Sequence, residues 1–275
     1  MRLLSTPGLS APRCLLLALA CAALLHAPAQ AQVDVGNASV LRRLVPAETL
    51  ENAATQQYQE LLQQARAQGA LAGSDNAQLQ RLRGIAQRLI PHAVQWNPRA
   101  NQWRWEVNLI ASKQINAFCM PGGKIAFYTG IIDQLKLSDD EIAMVMGHEM
   151  AHALREHSRE QLAKNQATSI GISLGAQLLG LGDIGSAAAR FGGQLLSLKF
   201  SRGDESEADL VGLELAARAG YNPQASVSLW RKMGEATGNG GIGFLSTHPT
   251  GPDRIRQLES NVPRVMPLYE QARRR

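Results

Sequence analysis

The sequence predicts an α+β chain that is mostly helical, with one small sheet lying between helical stretches. Three observations carry that expectation. A stretch near the middle alternates apolar and polar residues with the period of a half-buried strand. The segments on either side repeat their apolar residues at spacings of three and four. Hydrophobic residues make up 45% of the 275-residue chain against 19% charged, enough for a packed core.

Residues 1–31 have the composition of a secretory signal. Arg2 and Arg13 supply a positive start, Cys14 to Leu25 is apolar, and Ala29-Gln30-Ala31 places small residues where a signal peptidase reads. The apolar run of twelve residues falls short of the about 20 needed to cross a bilayer. The expectation is therefore an exported, periplasmic chain that starts at Gln32. Two alternatives are an uncleaved anchor and lipidation of Cys21 with outer-membrane association. Ala18 stands where a lipobox usually has Leu, which favours cleavage. Losing Arg2 and Arg13 lowers the formal net charge from +5 to +3. With no basic block beyond Arg273-Arg274-Arg275, nothing calls for a nucleic-acid partner. Only Cys119 of the three cysteines survives cleavage, so no internal disulfide can form. Its apolar neighbours suit a buried small residue better than a nucleophile.

Residues 32 to about 45 show no period and read as a linker. A helix opens at Pro46-Ala47-Glu48 and runs to about Gln68. A second follows Ser74-Asp75-Asn76, with Leu79, Leu82, Ile85, Leu89 and Ile90 on one face, and Pro91 ends it. Trp103, Trp105, Val107 and Leu109 predict a first strand, Ile115–Cys119 a second and Lys124–Tyr128 a third, the last two joined by Met120-Pro121-Gly122-Gly123. Ser138-Asp139-Asp140-Glu141 is a capping box that opens a helix to about His157. The Gly-, Ala- and Leu-rich stretch 167–198 reads as two short helices, either a mobile cover over a cleft or a packed hairpin. Helices at about 203–219, 223–236 and 252–261 complete the chain.

The chemistry lies in His148-Glu149-Met150-Ala151-His152. Residues four apart share a helix face, so both imidazoles can bind one Zn²⁺ through nitrogen. Glu149 is offset from that face: well placed to take a proton from a water at the metal, poorly placed to be a ligand. A catalytic zinc takes three protein ligands and leaves one position open. His26 lies in the signal, His92 follows a helix end, and His157 sits roughly 140° around the helix from His152. Glu205 and Asp209, again one turn apart, are better placed. Glu205 can bind the metal while Asp209 holds the free nitrogen of a ligand histidine. The plainer reading of both is an acidic helix start that suits the dipole.

These residues, with Asn116-Ala117-Phe118, Pro121-Gly122-Gly123, Ser201-Arg202, Glu205-x-Glu207-Ala208-Asp209 and His248-Pro249, resemble the CAAX prenyl protease-type (HtpX-like) zinc metallopeptidases of the gluzincin branch. Within that group the chain looks most like periplasmic members that maintain outer-membrane proteins. The resemblance implies a domain over 75–262, preceded by the linker and helix over 32–74 and followed by a basic tail over 263–275. It implies one zinc held by His148, His152 and Glu205, with Glu149 as general base. His248 and Arg254 are implied near the reacting carbonyl, stabilising the oxyanion. His248 has a second possible role as a reversible fourth ligand; an open water position as the default favours the first. The strand at Asn116, Ala117 and Phe118 can offer its edge to an extended substrate. The implied function is hydrolysis of peptide bonds in misfolded or envelope proteins by metal-activated water, as periplasmic quality control. The alternatives are a zinc-stabilised chaperone or scaffold without turnover, and a zinc hydrolase acting on cell-wall amides.

Overall fold

Apolar residues at helical spacing set the first two helices. The structure, a computed structural model, describes residues 33–165, 195–236, 243–248 and 253–274. The signal segment, the Gly-rich stretch up to residue 194 and Pro249 lie outside the described residues. Helix α1 (Ala47–Ala67) begins after Pro46 and buries Leu50, Ala54, Tyr58, Leu62 and Ala65 along one stripe. Helix α2 (Ala77–Leu89) is capped by the Asn76 side chain, which accepts from the amides of Gln78 and Leu79, and buries Leu79, Leu82, Ile85 and Leu89. Each fully buried leucine contributes about 1.5–3 kcal/mol, so these stripes, more than intrinsic propensity, hold the helices in place.

Three strands follow: β1 (Glu106–Ile110), β2 (Ala117–Met120) and β3 (Lys124–Tyr128). Their spatial order is β1-β3-β2, with β1 parallel and β2 antiparallel to β3. Two boundaries differ from the sequence reading. Trp103 and Trp105 precede β1, because their indole N–H groups find acceptors in Glu51 (3.0 Å) and the Ala100 carbonyl (3.1 Å) on the turn side. Ile115 and Asn116 precede β2. The turn between β2 and β3 needs the left-handed backbone of Gly122 and Gly123, at φ of 81° and 76°. Along β2 the side chains alternate: Ala117 and Cys119 join the main core, Phe118 and Met120 a smaller one with α1. Last in the order β1-β3-β2, β2 is an edge strand of the sheet.

Helix α3 (Thr129–Gln134) follows β3 directly and has no cap motif that sequence reading could use. Helix α4 (Asp139–Leu154) starts with the expected capping box, Ser138 and Glu141 exchanging bonds of 3.2 and 2.9 Å. It ends at Leu154 and not near His157, because Glu156 turns left-handed at φ 60°; helix resumes over 157–165. Helix α5 (Arg202–Arg218) has its own capping box, Ser201 with Asp204. Helices α6 (Ala225–Ala236), α7 (Gly243–Thr247) and α8 (Arg254–Arg273) complete the described fold. Residues 263–273, read from sequence as a tail, continue α8 in spite of Pro263 and Pro267. Leu258, Val262, Val265 and Leu268 keep a buried stripe through both prolines.

The contact that positions the site is between α4 and α5. A Cβ on Gly212 would lie 2.6 Å from the His148 amide nitrogen, and one on Gly147 would lie 2.8 Å from the Gly212 carbonyl. The two backbones touch there. Glu205, Asp209 and Gly212 recur at four and three, so the face that makes this contact is the face that carries both carboxylates.

Candidate metal centre

Helix α4 turns His148 and His152 toward α5, and α5 turns Glu205 and Asp209 back toward them. All four side chains are buried, as are Glu149 and His248. His148 Nε2 lies 3.2 Å from His152 Nε2 and 3.5 Å from Glu205 Oε2; His152 Nε2 lies 3.4 Å from Glu205 Oε1. Ligands at zinc's usual bond lengths stand about 3.4 Å apart around a tetrahedron. The spacing fits.

Proton bookkeeping on the rings agrees. His148 Nδ1 donates to Asp209 Oδ1 at 3.0 Å, leaving Nε2 as a bare lone pair. Burial holds the His152 pKa well below the ordinary histidine value, so that ring is neutral and able to ligate. Burial would raise the Glu205 carboxyl, but the side chains of His152, His248 and His148 around it outweigh burial and hold it well below the ordinary carboxylate value. Glu205 Oε2 is buried and accepts no hydrogen bond, although Arg254 Nη2 stands 3.0 Å away out of line. Converging lone pairs and an orphaned carboxylate oxygen make a cation site. His148, His152, Glu205 and His248 each bring a donor atom to one point.

His248 occupies the fourth corner. Its Nδ1 is 3.3 Å from His148 Nε2 and 2.9 Å from Glu205 Oε1, and its Nε2 is 3.5 Å from Glu149 Oε1. The Phe244 ring stacks on it at 4.5 Å. His248 Nδ1 is thus one of the donor atoms that converge on a single point, the position that the fourth-ligand role requires. Arg254 departs from the expectation. Its guanidinium pairs with Asp209, lies 3.4 Å over the Trp230 ring and sits behind the ligands. It is absent from the cleft wall. Arg254 holds Asp209, and its Nη2 stands 3.0 Å from Glu205 Oε2.

Glu149 faces the cleft, and burial raises its pKa above the ordinary carboxyl value, partly opposed by the charges of His248 and His148. Its Oε1 is another buried oxygen without a hydrogen-bond donor. Asn116, Ala117, Phe118 and Cys119 line that cleft together with Leu195, Leu196, Leu198 and Phe200, and Glu149, His152 and His248 open onto it. Cys119 is a buried free thiol whose pKa burial pushes well up, as suits a packing residue.

Three contributors escaped sequence reasoning. His157 Nδ1 lies 2.9 Å from His152 Nδ1. Phe200 stacks on the His152 ring at 3.9 Å. The Gly147–Gly212 contact sets the spacing of the two helices. Only the glycines left a signal, since each lies inside a helix, where glycine is otherwise unfavourable.

Residues 76–262, more than half of the chain, match the family model described as Peptidase family M48. The chain belongs to peptidase family M48. The matched region of this M48 chain contains every residue of the cluster. It is 39% identical over 163 residues to the mitochondrial metalloendopeptidase OMA1 of Schizosaccharomyces pombe, covering 58% of this chain and 47% of that protein. Against OMA1 of Homo sapiens it is 26% identical over 194 residues, 65% of this chain and 37% of that one. Against the putative beta-barrel assembly-enhancing protease of Vibrio cholerae it is 29% identical over 170 residues, 58% and 35%. The chain thus spans about half or less of the curated relatives it matches. Zinc is the metal this M48 site uses, and the donor set of two imidazoles and a carboxylate fits it.

Proposed function

We propose that this M48 chain is an exported zinc metalloendopeptidase that cleaves unfolded or misassembled envelope proteins. The observation that carries the proposal is Glu149: a buried carboxylate with a free oxygen, beside three converging ligands and facing a cleft bordered by an edge strand. A scaffold needs no such base. When bound, zinc supplies Lewis acidity toward a scissile carbonyl and acidifies water. Glu149, with its raised pKa, takes the proton from the attacking water and returns it to the leaving amine. The outer edge of β2 pairs with an extended substrate, which selects unfolded segments over folded ones. His248 acts as a reversible fourth ligand that must swing away before substrate enters.

Export rests on the Arg2/Arg13, apolar-run and Ala29-Gln30-Ala31 pattern. No helix of the described residues is long and apolar enough to cross a membrane. The substrate class draws support from the relative named as a beta-barrel assembly-enhancing protease. The test is incubation of the chain beginning at Gln32 with an unfolded protein, with and without a zinc chelator. Chelator-sensitive fragments at internal bonds are the expected result. Binding without fragments would favour a scaffold, and cleavage untouched by metal removal would end the proposal.

A further inference from the structure

His148 and His152 both end in a fixed outer partner, but the partners differ. For His148 it is the Asp209 carboxylate itself. For His152 it is another imidazole. An uninterrupted α4 would carry His157 roughly 140° away from His152. The left-handed turn at Glu156 resets the helical phase and brings His157 against His152, edge to face at a ring separation of 5.0 Å.

We propose that His157 and Glu207 form a directed relay that holds His152 in its metal-binding orientation, with His157 as a positioning residue. The proposal rests on His152 being a ligand through Nε2. Its other nitrogen, Nδ1, then carries the proton and needs a buried acceptor. His157 Nδ1, 2.9 Å away, can accept only if the His157 proton is on Nε2. Glu207 fixes that tautomer, since its Oε2 lies 3.4 Å from His157 Nε2. Arg155 Nε anchors the same oxygen at 2.8 Å, and Arg155 Nη2 also donates to the Gly36 carbonyl at 3.0 Å. The relay therefore runs from His152 through His157 to Glu207, with Arg155 behind it. No other hydrogen-bond acceptor for His152 Nδ1 occurs among the described residues. Glu207 also gains a purpose that the dipole reading of an acidic helix start does not give it.

The test measures zinc release from the chain beginning at Gln32 into a chromophoric chelator, with the Co²⁺-substituted visible spectrum as a second readout. His157→Phe keeps the ring but removes the acceptor; it should release zinc ~10–100-fold faster and alter the Co²⁺ spectrum. His157→Asn, whose side-chain oxygen can take the place of Nδ1, should stay within about threefold of wild type. Glu207→Ala, on a partly exposed side chain, keeps the relay testable even if His157→Phe does not fold. It should accelerate release by a smaller factor, and adding it to His157→Phe should bring little more, since both changes break one relay. Wild-type release from His157→Phe, release from His157→Asn as fast as from His157→Phe, or multiplicative effects of the pair would each overturn the relay. A wild-type chain that takes up no zinc would overturn the ligand assignment itself, and the relay with it.

Discussion

The two walls of the cleft are built on different principles. The metal wall is α4 against α5: two regular helices, each opened by a capping box, pressed together at Gly147 and Gly212 until their backbones touch. The proposed substrate wall gathers the edge strand β2, Leu195, Leu196, Leu198 and Phe200, and His248 just beyond the end of α7. One wall is held by helix packing over a long interface, and the other by short segments that come together from distant parts of the chain. The difference teaches where rigidity is placed. The proposed ligands His148, His152 and Glu205, which would have to hold a tetrahedron within tenths of an ångström, sit on paired helices, whereas the groups proposed to meet a substrate sit on a strand edge and a helix end.

If the metal wall acts as a unit, loss of a ligand there should remove metal and activity together. The largest effect is expected from Glu205→Ala, which deletes a ligand: zinc should fall to about a tenth of an equivalent or less, and hydrolysis ~10³-fold or more. Metal analysis after dialysis alongside a fragment assay reads both. If Glu207→Ala strips zinc while Glu205→Ala does not, the register of α5 is misassigned.

On the substrate wall, a change should alter turnover and spare the metal. His248→Ala frees the fourth corner and should raise turnover about 3–10-fold with zinc retained, whereas an oxyanion role predicts a fall of ~10²–10³-fold. Steady-state kinetics on an unfolded substrate distinguishes the two by sign.

Two subtler changes sharpen the contrast within the metal wall. Asp209→Asn leaves every ligand in place but weakens the hold on His148; zinc affinity should drop ~10–100-fold, measured by competition with a chelator. Gly212→Ala places a methyl 2.6 Å from the His148 backbone, so α4 and α5 must separate. Overpacking of this kind costs about 1–3 kcal/mol, which lowers the melting midpoint by several degrees for a chain of this size. An unchanged midpoint would mean that the helices part at no cost.

The same division governs what the sequence made legible. His148 with His152, and Glu205 with Asp209, are i, i+4 pairs; one helical turn fixes each geometry locally, and periodicity alone exposes it. The capping box at Ser138 is equally local. His157 was passed over because extrapolating α4 beyond Leu154 gives the wrong face, and a single left-handed residue, Glu156, has no strong sequence mark. Arg254 was implied near the reacting carbonyl by family resemblance, and the sequence does not reveal which partners a distant arginine meets; Asp209 and Trp230 hold it. Trp103 and Trp105 continue a true alternation past the point where the strand starts, since period two describes burial and not hydrogen bonding. Residues 263–273 looked like a tail because two prolines hide the stripe of Val262, Val265 and Leu268.

On the reading proposed above, α4 carries two ligands and, between them, a base. Glu149→Gln tests it most directly, because the amide keeps the shape and loses the basicity. Zinc content and peptide hydrolysis should be measured on one preparation. About one zinc per chain is expected, with hydrolysis reduced ~10²–10⁴-fold. Loss of zinc would instead make Glu149 a ligand, and hydrolysis near the wild-type rate would place the base elsewhere.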